Sequence, residues 1–374
     1  MLPVYFISQL TLENWDYDSP FSTGIGGSET AHIECAIRLA KRGYAVTSWC
    51  PLPAYKAGRI HKGVKWLDCT HEAFPKEPCI IINYRNPVLF DRKKPKGQVW
   101  WFVAQDVDYD GHWTEQAAKN TDRFLALCPT HANFTQDKYP NFRGKTYIST
   151  NGVRTDYIEK LPPLERQPHR MFWASSPDRG LLLLLENWFR IRERFPDAEL
   201  RIAYGFNNMD TIINFQGAHS PLIPLRQQLR AVAEQPGVKW LGRLTQDKVF
   251  AEWQQASVFP YCSDFPETSC VSIMEAMACG AIPVTTNFWA QGHHAGAAPL
   301  AYVVDGLPQK SDLVRCLWLE QLYEALENKN DRSALMKWAR QRYDWERVID
   351  QWEGWLKVDM VPQVKAVTKR KGKK

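Results

Sequence analysis

The sequence lacks both a long apolar segment and a basic leader. Its purest apolar run, Leu181–Leu185, ends at Glu186 and is far shorter than the ~20 residues that a membrane-spanning helix needs. The opening residues, MLPVYFISQL, contain no basic group and are typical of a buried strand rather than of a signal peptide. We therefore predict a cytoplasmic protein without a membrane-spanning helix.

Paired cysteines are also lacking. The nine cysteines are scattered, and no two of them form a C-x-x-C pair. This spacing argues against a disulfide framework and against a zinc site. We expect most of the thiols to behave as small buried hydrophobic groups. The nine are Cys35, Cys50, Cys69, Cys79, Cys128, Cys262, Cys270, Cys279 and Cys316.

Most of the chain has no excess of either charge. The formal net charge is +6, but the last segment, Val361–Lys374, contains six basic residues and no acidic one. The other residues hold 41 basic and 41 acidic groups. A basic tail of this kind is predicted to be disordered. It fits an anionic membrane surface, a nucleic acid, or a solvated end without a partner.

The length and the alternation of segments predict two α/β domains. A chain of 374 residues is too long for one ordinary core. Strand-like runs alternate with helical runs, and such βαβ units form parallel sheets covered by helices. Three prolines interrupt the alternation near 161–170. The predicted parts are a first Rossmann-like domain (1–160), a linker (161–170), a second Rossmann-like domain (171–340), a C-terminal helix (341–358) that packs on one or both domains, and a tail (359–374).

In the first half, the predicted strands are the β-rich runs VYFIS, YAVTSW, CIIINY, QVWWFV, FLALC and TYIST. Between the first two lies a run of apolar residues at helical spacing. Ser28 is the predicted N-cap of this helix and Gly43 its predicted C-terminal stop.

In the second half, the runs MFWASS, AELRIAYG, VKWLG, VFPYC and AIPVTT are predicted strands. The runs GLLLLLENWFRIRERF and QDKVFAEWQQAS, and a short run after Cys270, are predicted helices.

The glycine-rich loop GIGGSE, Gly24–Glu29, follows the first predicted strand. At this position backbone N–H groups face a phosphate or a sugar. The loop is not a dinucleotide fingerprint, because Glu29 stands where the third glycine would be. NAD is therefore not expected. The glycines could alternatively serve a tight turn only.

Acidic residues follow the QVWWFV strand. Asp106, Asp108, Asp110 and Gly111 have the spacing of a calcium loop, but the twelfth position is Ala117 instead of a bidentate glutamate. We reject calcium, and no metal site is predicted. Asp106 lies at the carboxyl end of a strand, where open α/β sheets bind ligands.

Arg179 lies at a predicted strand-to-helix junction in the second half. An arginine there can bind a diphosphate that lies against the helix N-terminus. The alternative is an ordinary surface arginine.

Two glutamates, Glu267 and Glu275, lie eight positions apart around the start of a predicted helix. Ser272 and Glu275 have the S-x-x-E spacing of a capping box with Ser272 as N-cap. This interpretation leaves Glu267 unexplained. A carboxylate at its position can accept hydrogen bonds from sugar hydroxyls.

The segment ETSCVSIMEAMACGAIPV, residues 267–284, resembles the E-x7-E signature of the retaining family 4 glycosyltransferases, which have the GT-B fold. That family typically has E-G-F-G, a few apolar residues and then E-A-M-A-x-G-x-P-V. GGSE, NGV (Asn151–Val153), the RGL at Arg179 and the residues 240–264 follow in the family's order. The resemblance spans about residues 3–357, and its second half is the more specific.

The resemblance implies two facing Rossmann-like domains with a nucleotide-sugar donor, UDP- or GDP-linked, bound mainly by the second. Glu267 would contact the donor sugar and Glu275 the ribose. The sugar would be transferred with retained anomeric configuration, usually without a metal or other cofactor. The remaining implied donor contacts are the N–H groups of Thr268, Ser269 and Cys270, the side chain of Arg179, and the glycines Gly26 and Gly27.

The chain departs from the family at three places. Arg243 or Lys248 would replace a second basic residue that is missing before Arg179. Gln105 and Asp106 stand where many members have a histidine, and Gln105 cannot take a proton at neutral pH. The side chains of Thr268 and Cys270, where the family has glycines, are expected to narrow the donor site.

The predicted function is transfer of a sugar to a glycan, a lipid-linked glycan or another polymer, and Glu267, Asp106 and Gln105 are the predicted catalytic residues. A non-catalytic subunit that binds a nucleotide sugar is the alternative from another class. A glycosyltransferase acting on nucleic acid rests only on the basic tail. A tail attached to an anionic membrane would make the protein peripheral to that membrane.

Overall fold

A computed structural model describes residues 1–9, 11, 13–70, 74–107 and 112–360. Within these ranges the chain forms two β-sheets, each packed with helices into a Rossmann-like domain. The predicted α/β class is confirmed. No helix in the described ranges is long and apolar enough to cross a membrane.

The first sheet has eight strands. They are β1 (Val4–Ser8), β2 (Val46–Cys50), β3 (Ile60–His61), β4 (Val64–Asp68), β5 (Ile80–Tyr84), β6 (Val99–Val103), β7 (Arg123–Ala126) and β8 (Thr146–Ile148). Their order is β3-β4-β2-β1-β5-β6-β7-β8, with β3 antiparallel to β4 and the other pairings parallel. All six strands predicted for this half are confirmed, whereas the β3–β4 hairpin was not predicted.

Alternate side chains of the first sheet enter two separate apolar clusters. Phe6 and Trp101 point into one cluster, and Ile7 and Trp100 point into the other. Because both faces are buried, these strands are almost continuously apolar, as expected for parallel sheets.

The helices of the first half are α1 (Ser19–Ser22), α2 (Gly27–Lys41), α3 (Glu115–Asn120), α4 (Pro129–Lys138) and α5 (Thr155–Ile158). The predicted cap of α2 is wrong. The helix begins two residues earlier, with Gly26 as N-cap, and the Ser28 hydroxyl accepts a hydrogen bond from Arg85 instead. The stop is confirmed, since Gly43 follows the helix with φ +90°.

The second sheet has six strands, and its pairings are parallel. They are β9 (Arg170–Trp173), β10 (Glu199–Ala203), β11 (Val238–Gly242), β12 (Val258–Tyr261), β13 (Ile282–Thr286) and β14 (Tyr302–Val304). Their order is β11-β10-β9-β12-β13-β14. The five predicted strands are confirmed, and β14 lies in a segment without a predicted element.

The remaining helices are α6 (Leu181–Glu186), α7 (Trp188–Arg194), α8 (Asn207–Gln216), α9 (Leu222–Ala231), α10 (Gln246–Gln255), α11 (Val271–Ala278), α12 (Trp289–Ala295), α13 (Asp312–Glu327), α14 (Ser333–Tyr343) and α15 (Trp345–Met360). The single helix predicted after Arg179 is in fact two helices. Asn187 separates them, and its side-chain amide donates to the carbonyl of Leu183.

The last two helices belong to different domains. In α14, Arg340 donates to the carbonyl of Ala278 at the end of α11. In α15, Trp345 and Trp352 are buried in the first domain's core, and Trp352 donates to Ser149. The predicted C-terminal helix therefore packs on the first domain.

The chain crosses between the domains at two adjacent places. Val153 pairs with Asp344, its N–H donates to Tyr343, and Trp345 donates back to its carbonyl. We propose that the first crossing is near Val153 rather than in the predicted linker, because residue 167 already bonds to the second domain through Gln255.

Candidate functional site

A cleft of about 280 Å³ lies between the two domains. The carboxyl ends of strands from both sheets border it, which is where open α/β sheets bind ligands. Its first-domain wall includes Glu13, Gly24–Thr30, Arg85, Gln105–Val107 and Asn151. Its second-domain wall includes Ala174–Ser176, Arg179, Tyr204, Arg243, Gln246, Phe265, Glu267–Ser269, Val271, Ser272 and Glu275.

The glycine loop before α2 approaches the second domain closely. Gly24 has φ +74°, and a Cβ there would overlap the carbonyl oxygen of Leu244. A Cβ on Gly27 would lie 3.3 Å from Cγ2 of Val271. These glycines therefore allow the two domains to meet across the cleft, in addition to forming a turn.

Arg85 organises the first-domain wall. It follows β5 with φ +64°, a conformation that side-chain-bearing residues rarely adopt. Its guanidinium lies 2.8 Å from Glu29 Oε1 and 3.2 Å from Asp106 Oδ2, and it donates to Ser28. One cation thereby fixes two carboxylates at the cleft.

Gln105 and Asn151 bind each other through both side-chain amides, with both N···O distances 3.1 Å. Across the domain boundary, Thr268 donates to the carbonyl of Gln105, and the N–H of Asn151 donates to the hydroxyl of Ser269. The hydroxyl groups of Thr268 and Ser269 thus connect the two domains.

Glu267 is partly buried at the cleft, after β12. The hydroxyl of Tyr261 donates to its Oε1 at 2.6 Å. Burial raises the pKa of Glu267, while the nearby Arg179 and the hydrogen bond from Tyr261 oppose that rise. The backbone carbonyl of Glu267 accepts from Ala290, which fixes the loop.

Glu275 lies in α11 and is 8% exposed. Burial raises its pKa to about 7, against the opposing effects of Arg154 and of Gln246, whose side chain donates to Oε1 at 2.8 Å. The predicted capping box is wrong. The hydroxyl of Ser272 donates to the carbonyl of Ala174, and Cys270 is the N-cap of the helix.

Arg179 lies at the junction before α6, as predicted, and Gly180 between them is the N-cap of the helix. Its guanidinium carbon is 3.1 Å from the centroid of the Phe265 ring, and Nε is 3.5 Å from Asp178. Its Nη1 is buried and has no hydrogen-bond partner among the described residues. A buried donor of this kind is costly unless an acceptor satisfies it.

Of the other predicted donor contacts, Lys248 and Cys270 lie away from the cleft surface. Lys248 is exposed on α10 and is not among the lining residues, whereas Arg243 lines the cleft and forms an ion pair with Glu13 of the opposite wall. The Cys270 side chain is buried outside the lining, and burial raises the pKa of its thiol. Cys270 therefore does not narrow the cleft.

Several cleft residues were not predicted. Arg85, Gln246 and Tyr204 meet the site from segments distant in sequence, and no local spacing marks them. Tyr204 has φ +86° immediately after β10, and such strain at a cleft is a structural signal of a site. Of the acidic run after β6, Asp108, Asp110 and Gly111 lie outside the described residues, as does the tail from 361.

Comparisons with known proteins show which family and which folds this chain is similar to. Residues 169–298 match the model of a family described as glycosyl transferases group 1. No curated protein matched the sequence.

Solved structures match nearly the whole chain. Sucrose-phosphate synthase from Thermosynechococcus elongatus has a TM-score of 0.67 at 12% identity, covering 96% of this chain and 99% of that one. HepE from Anabaena, in complex with UDP-glucose, has a TM-score of 0.63 at 14% identity, with coverages of 96% and 100%. A glycosyltransferase from Rickettsia africae ESF-5 has a TM-score of 0.69 at 12% identity, with coverages of 96% and 99%.

The fold is therefore that of the GT-B glycosyltransferases, as the sequence resemblance predicted. The match to the group 1 family covers the first five strands of the second domain, β9 to β13. The matched range also contains Glu267 and Glu275.

Proposed function

We propose that the protein is a retaining glycosyltransferase that moves one sugar from a nucleoside-diphosphate sugar to a glycan, a lipid-linked glycan or another polymer. The observation that carries this proposal is the composition of the cleft. Arg179, whose Nη1 has no hydrogen-bond partner among the described residues, lines the cleft together with Glu267 and Glu275. This cleft lies between the two Rossmann-like domains of a GT-B fold. Such a set can bind a diphosphate together with hydroxyl groups.

In the proposed donor complex, Arg179 binds the diphosphate with its buried donor, and Glu275 accepts hydrogen bonds from the ribose. Glu267 accepts hydrogen bonds from the sugar, and the N–H groups of Thr268 and Ser269 face the sugar or the phosphate. HepE was crystallised with UDP-glucose, which makes UDP the first nucleotide to test, before GDP and ADP.

The proposed reaction needs no metal. The acceptor oxygen attacks the anomeric carbon on the face from which the diphosphate departs. The bond from that carbon to the phosphate oxygen breaks, a bond to the acceptor oxygen forms, and the acceptor proton moves to the leaving phosphate. Arg179 stabilises the charge that develops on this phosphate.

The first-domain wall is the proposed acceptor side. Glu29 and Asp106, fixed by Arg85, can accept hydrogen bonds from acceptor hydroxyls. Gln105 has both ends of its amide bonded to Asn151, so we assign it a role in shaping the wall. Asp106 remains the proposed catalytic residue of this wall, together with Glu267 on the opposite side.

One observation favours the alternative of a non-catalytic nucleotide-sugar-binding subunit. Gln105 stands where a histidine would contact the donor sugar in many related enzymes, and both ends of its amide are bonded to Asn151. The two functions differ in turnover. A binding subunit would leave UDP-glucose intact. An enzyme would hydrolyse UDP-glucose slowly in water alone and would release UDP faster when an acceptor is present.

The test is transfer from UDP-glucose, GDP-mannose and ADP-glucose to neutral oligosaccharides, with product configuration determined by NMR. We expect an α-linked product from an α-linked donor, with equal rates in EDTA and in magnesium. An inverted product would contradict the retaining mechanism, and loss of activity in EDTA would contradict metal independence.

The location and the tail remain proposals. We propose a cytoplasmic protein whose basic residues beyond 360 bring it to an anionic surface, either a membrane or a nucleic acid. Deletion of residues 361–374 should then abolish salt-dependent binding to anionic vesicles or to RNA, while donor hydrolysis is unchanged.

A further inference from the structure

A continuous series of polar contacts leads from the first domain to Glu275. It begins at Glu34 on α2, passes through Arg154 at the domain crossing and Gln246 at the start of α10, and ends at Glu275 on α11. None of the first three residues was predicted to belong to the site.

Arg154 is held from the first domain. Its Nε lies 2.6 Å from Glu34 Oε1, and the guanidinium lies over the ring of Phe21. Glu34 is in turn paired with Arg38. Arg154 is only 5% exposed, so its position is tied to that of α2.

The orientation of the Gln246 amide follows from these contacts. Arginine can only donate hydrogen bonds, so the group that faces Arg154 Nη1 at 3.1 Å must be the oxygen of Gln246. The amide nitrogen must then face Glu275, to which it donates at 2.8 Å. If Arg154 withdrew with the first domain, only the Glu275 carboxylate would orient the amide, and protonation of that carboxylate would allow the amide to turn.

The contact matters because Glu275 is buried. A buried carboxylate without donors is destabilised as an anion and takes up a proton. Gln246 and Arg154 both favour the charged form of Glu275, the form that can accept two hydrogen bonds from a ribose.

We propose that Gln246 is a positioning residue that couples domain closure to donor binding. Arg154 orients its amide when the domains are closed, and the amide then holds Glu275 in the state and position that bind the ribose. This inference rests on the proposed function, because it assumes that Glu275 contacts a nucleotide.

The test measures the dissociation constant of UDP by calorimetry on the full chain, from pH 6 to 8.5. The variants are Gln246→Met, Arg154→Met and the double variant. Gln254→Met is the matched control, since Gln254 lies on the same helix, is partly buried and forms one hydrogen bond away from the cleft. Gln246→Glu is a second variant that keeps an acceptor facing Arg154 and replaces the donation to Glu275 with a like charge, so it should raise the pKa of Glu275 more than Gln246→Met does.

We expect Gln246→Met and Arg154→Met each to weaken UDP binding about tenfold, the value of one hydrogen bond to a charged group. The double variant should lose less than the sum of the two single losses, because part of the Arg154 effect passes through the Gln246 amide, while Arg154 also favours the charged form of Glu275 directly. Gln254→Met should bind as the unchanged protein does.

The pH profile separates positioning from a general loss of structure. Arg154 is the charged side chain that acts on Glu275, and the thiol of Cys279 also lies near it. UDP affinity should fall as the pH falls through the pKa of Glu275. Without the Gln246 donor that pKa rises further, so the fall should begin at higher pH in Gln246→Met and Gln246→Glu but not in Gln254→Met.

Three results would overturn the proposal: unchanged UDP affinity in Gln246→Glu and Gln246→Met, additive losses in the double variant, or an unshifted pH profile. Failure of the proposed function gives a different pattern. In that case the unchanged protein binds none of UDP, GDP and ADP, and Glu275 is not a ribose contact.

Discussion

At the scale of single residues, the tyrosine contact makes Glu267 part of the fold as well as of the site. Tyr261 is fully buried and donates to this carboxylate, and its hydroxyl accepts from Ser175 at 3.3 Å. Truncation of Glu267 therefore removes more than a sugar contact, and an isosteric change is the cleaner experiment.

We predict that Glu267→Gln abolishes sugar transfer with little effect on stability, since the amide oxygen can still accept from Tyr261. Glu267→Ala should abolish transfer and also cost about 1–3 kcal/mol, because it leaves the tyrosine hydroxyl without its main acceptor. Activity assays and urea unfolding measure the two effects. Glu324→Ala, an exposed change on α13, is the control, and full turnover in Glu267→Gln would refute the assigned role.

The ionised form of Glu275 is predicted to lower the stability of the free protein, although this is the form that would bind the ribose. Its pKa of about 7 lies above the unfolded value of 4.5, so the folded state binds the extra proton between these pH values. Stability from this group is present at low pH and is lost as the pH rises through 7. By pH 8 the loss is about 3 kcal/mol.

Glu275→Gln should therefore raise the melting temperature of the free protein at pH 8 and have little effect on it at pH 5, while it weakens nucleotide binding. Thermal unfolding at the two pH values checks this. A variant that is destabilised at pH 8 would show that the charged form is better stabilised than we infer.

At the scale of elements, the strands were the most predictable part of the molecule. β1, β5 and β6 are buried on both faces and consist almost entirely of apolar and β-branched or aromatic residues, which makes them visible in the sequence. The helix starts were less predictable. Ser28 and Ser272 have good capping spacing, but each hydroxyl has a tertiary partner instead.

The site was predictable only where it is local in sequence. Glu267, Glu275 and Arg179 lie in contiguous motifs next to helix starts. Arg85 and Gln246 reach the cleft through contacts with residues 56 and 29 positions away, and a single sequence contains no signal for such pairs.

The glycine loop before α2 gives a prediction at this scale. Gly24→Ala should reduce transfer sharply, because the new methyl group would overlap the Leu244 carbonyl and push the domains apart. Gly43→Ala is a matched control. It also has a positive φ, but a Cβ there meets nothing within 4 Å, so it should cost only about 1–2 kcal/mol of stability. Equal activity in the two variants would contradict a role for the loop in closure.

At the scale of the whole molecule, the two domains are connected both by the chain itself and by side-chain contacts. The chain crosses between them at the adjacent segments near Val153 and Asp344, and α15 returns to the first domain's core. Side-chain contacts cross the cleft through the Arg243–Glu13 ion pair and through Thr268 and Ser269. The two domains thus meet across the cleft, and these side-chain contacts between them are polar.

The central claim is that this cleft binds a nucleoside diphosphate through Arg179. The direct measurement is thermal unfolding of the unchanged protein and of Arg179→Ala with UDP, GDP and ADP, with Arg190→Ala on α7 as an exposed control. A ligand at 100 times its dissociation constant should stabilise the protein by about 2.7 kcal/mol. We predict that one diphosphate raises the melting temperature of the unchanged protein and of Arg190→Ala but not of Arg179→Ala. If none of the three diphosphates does so at millimolar concentration, or if Arg179→Ala responds equally, the cleft is not a donor site.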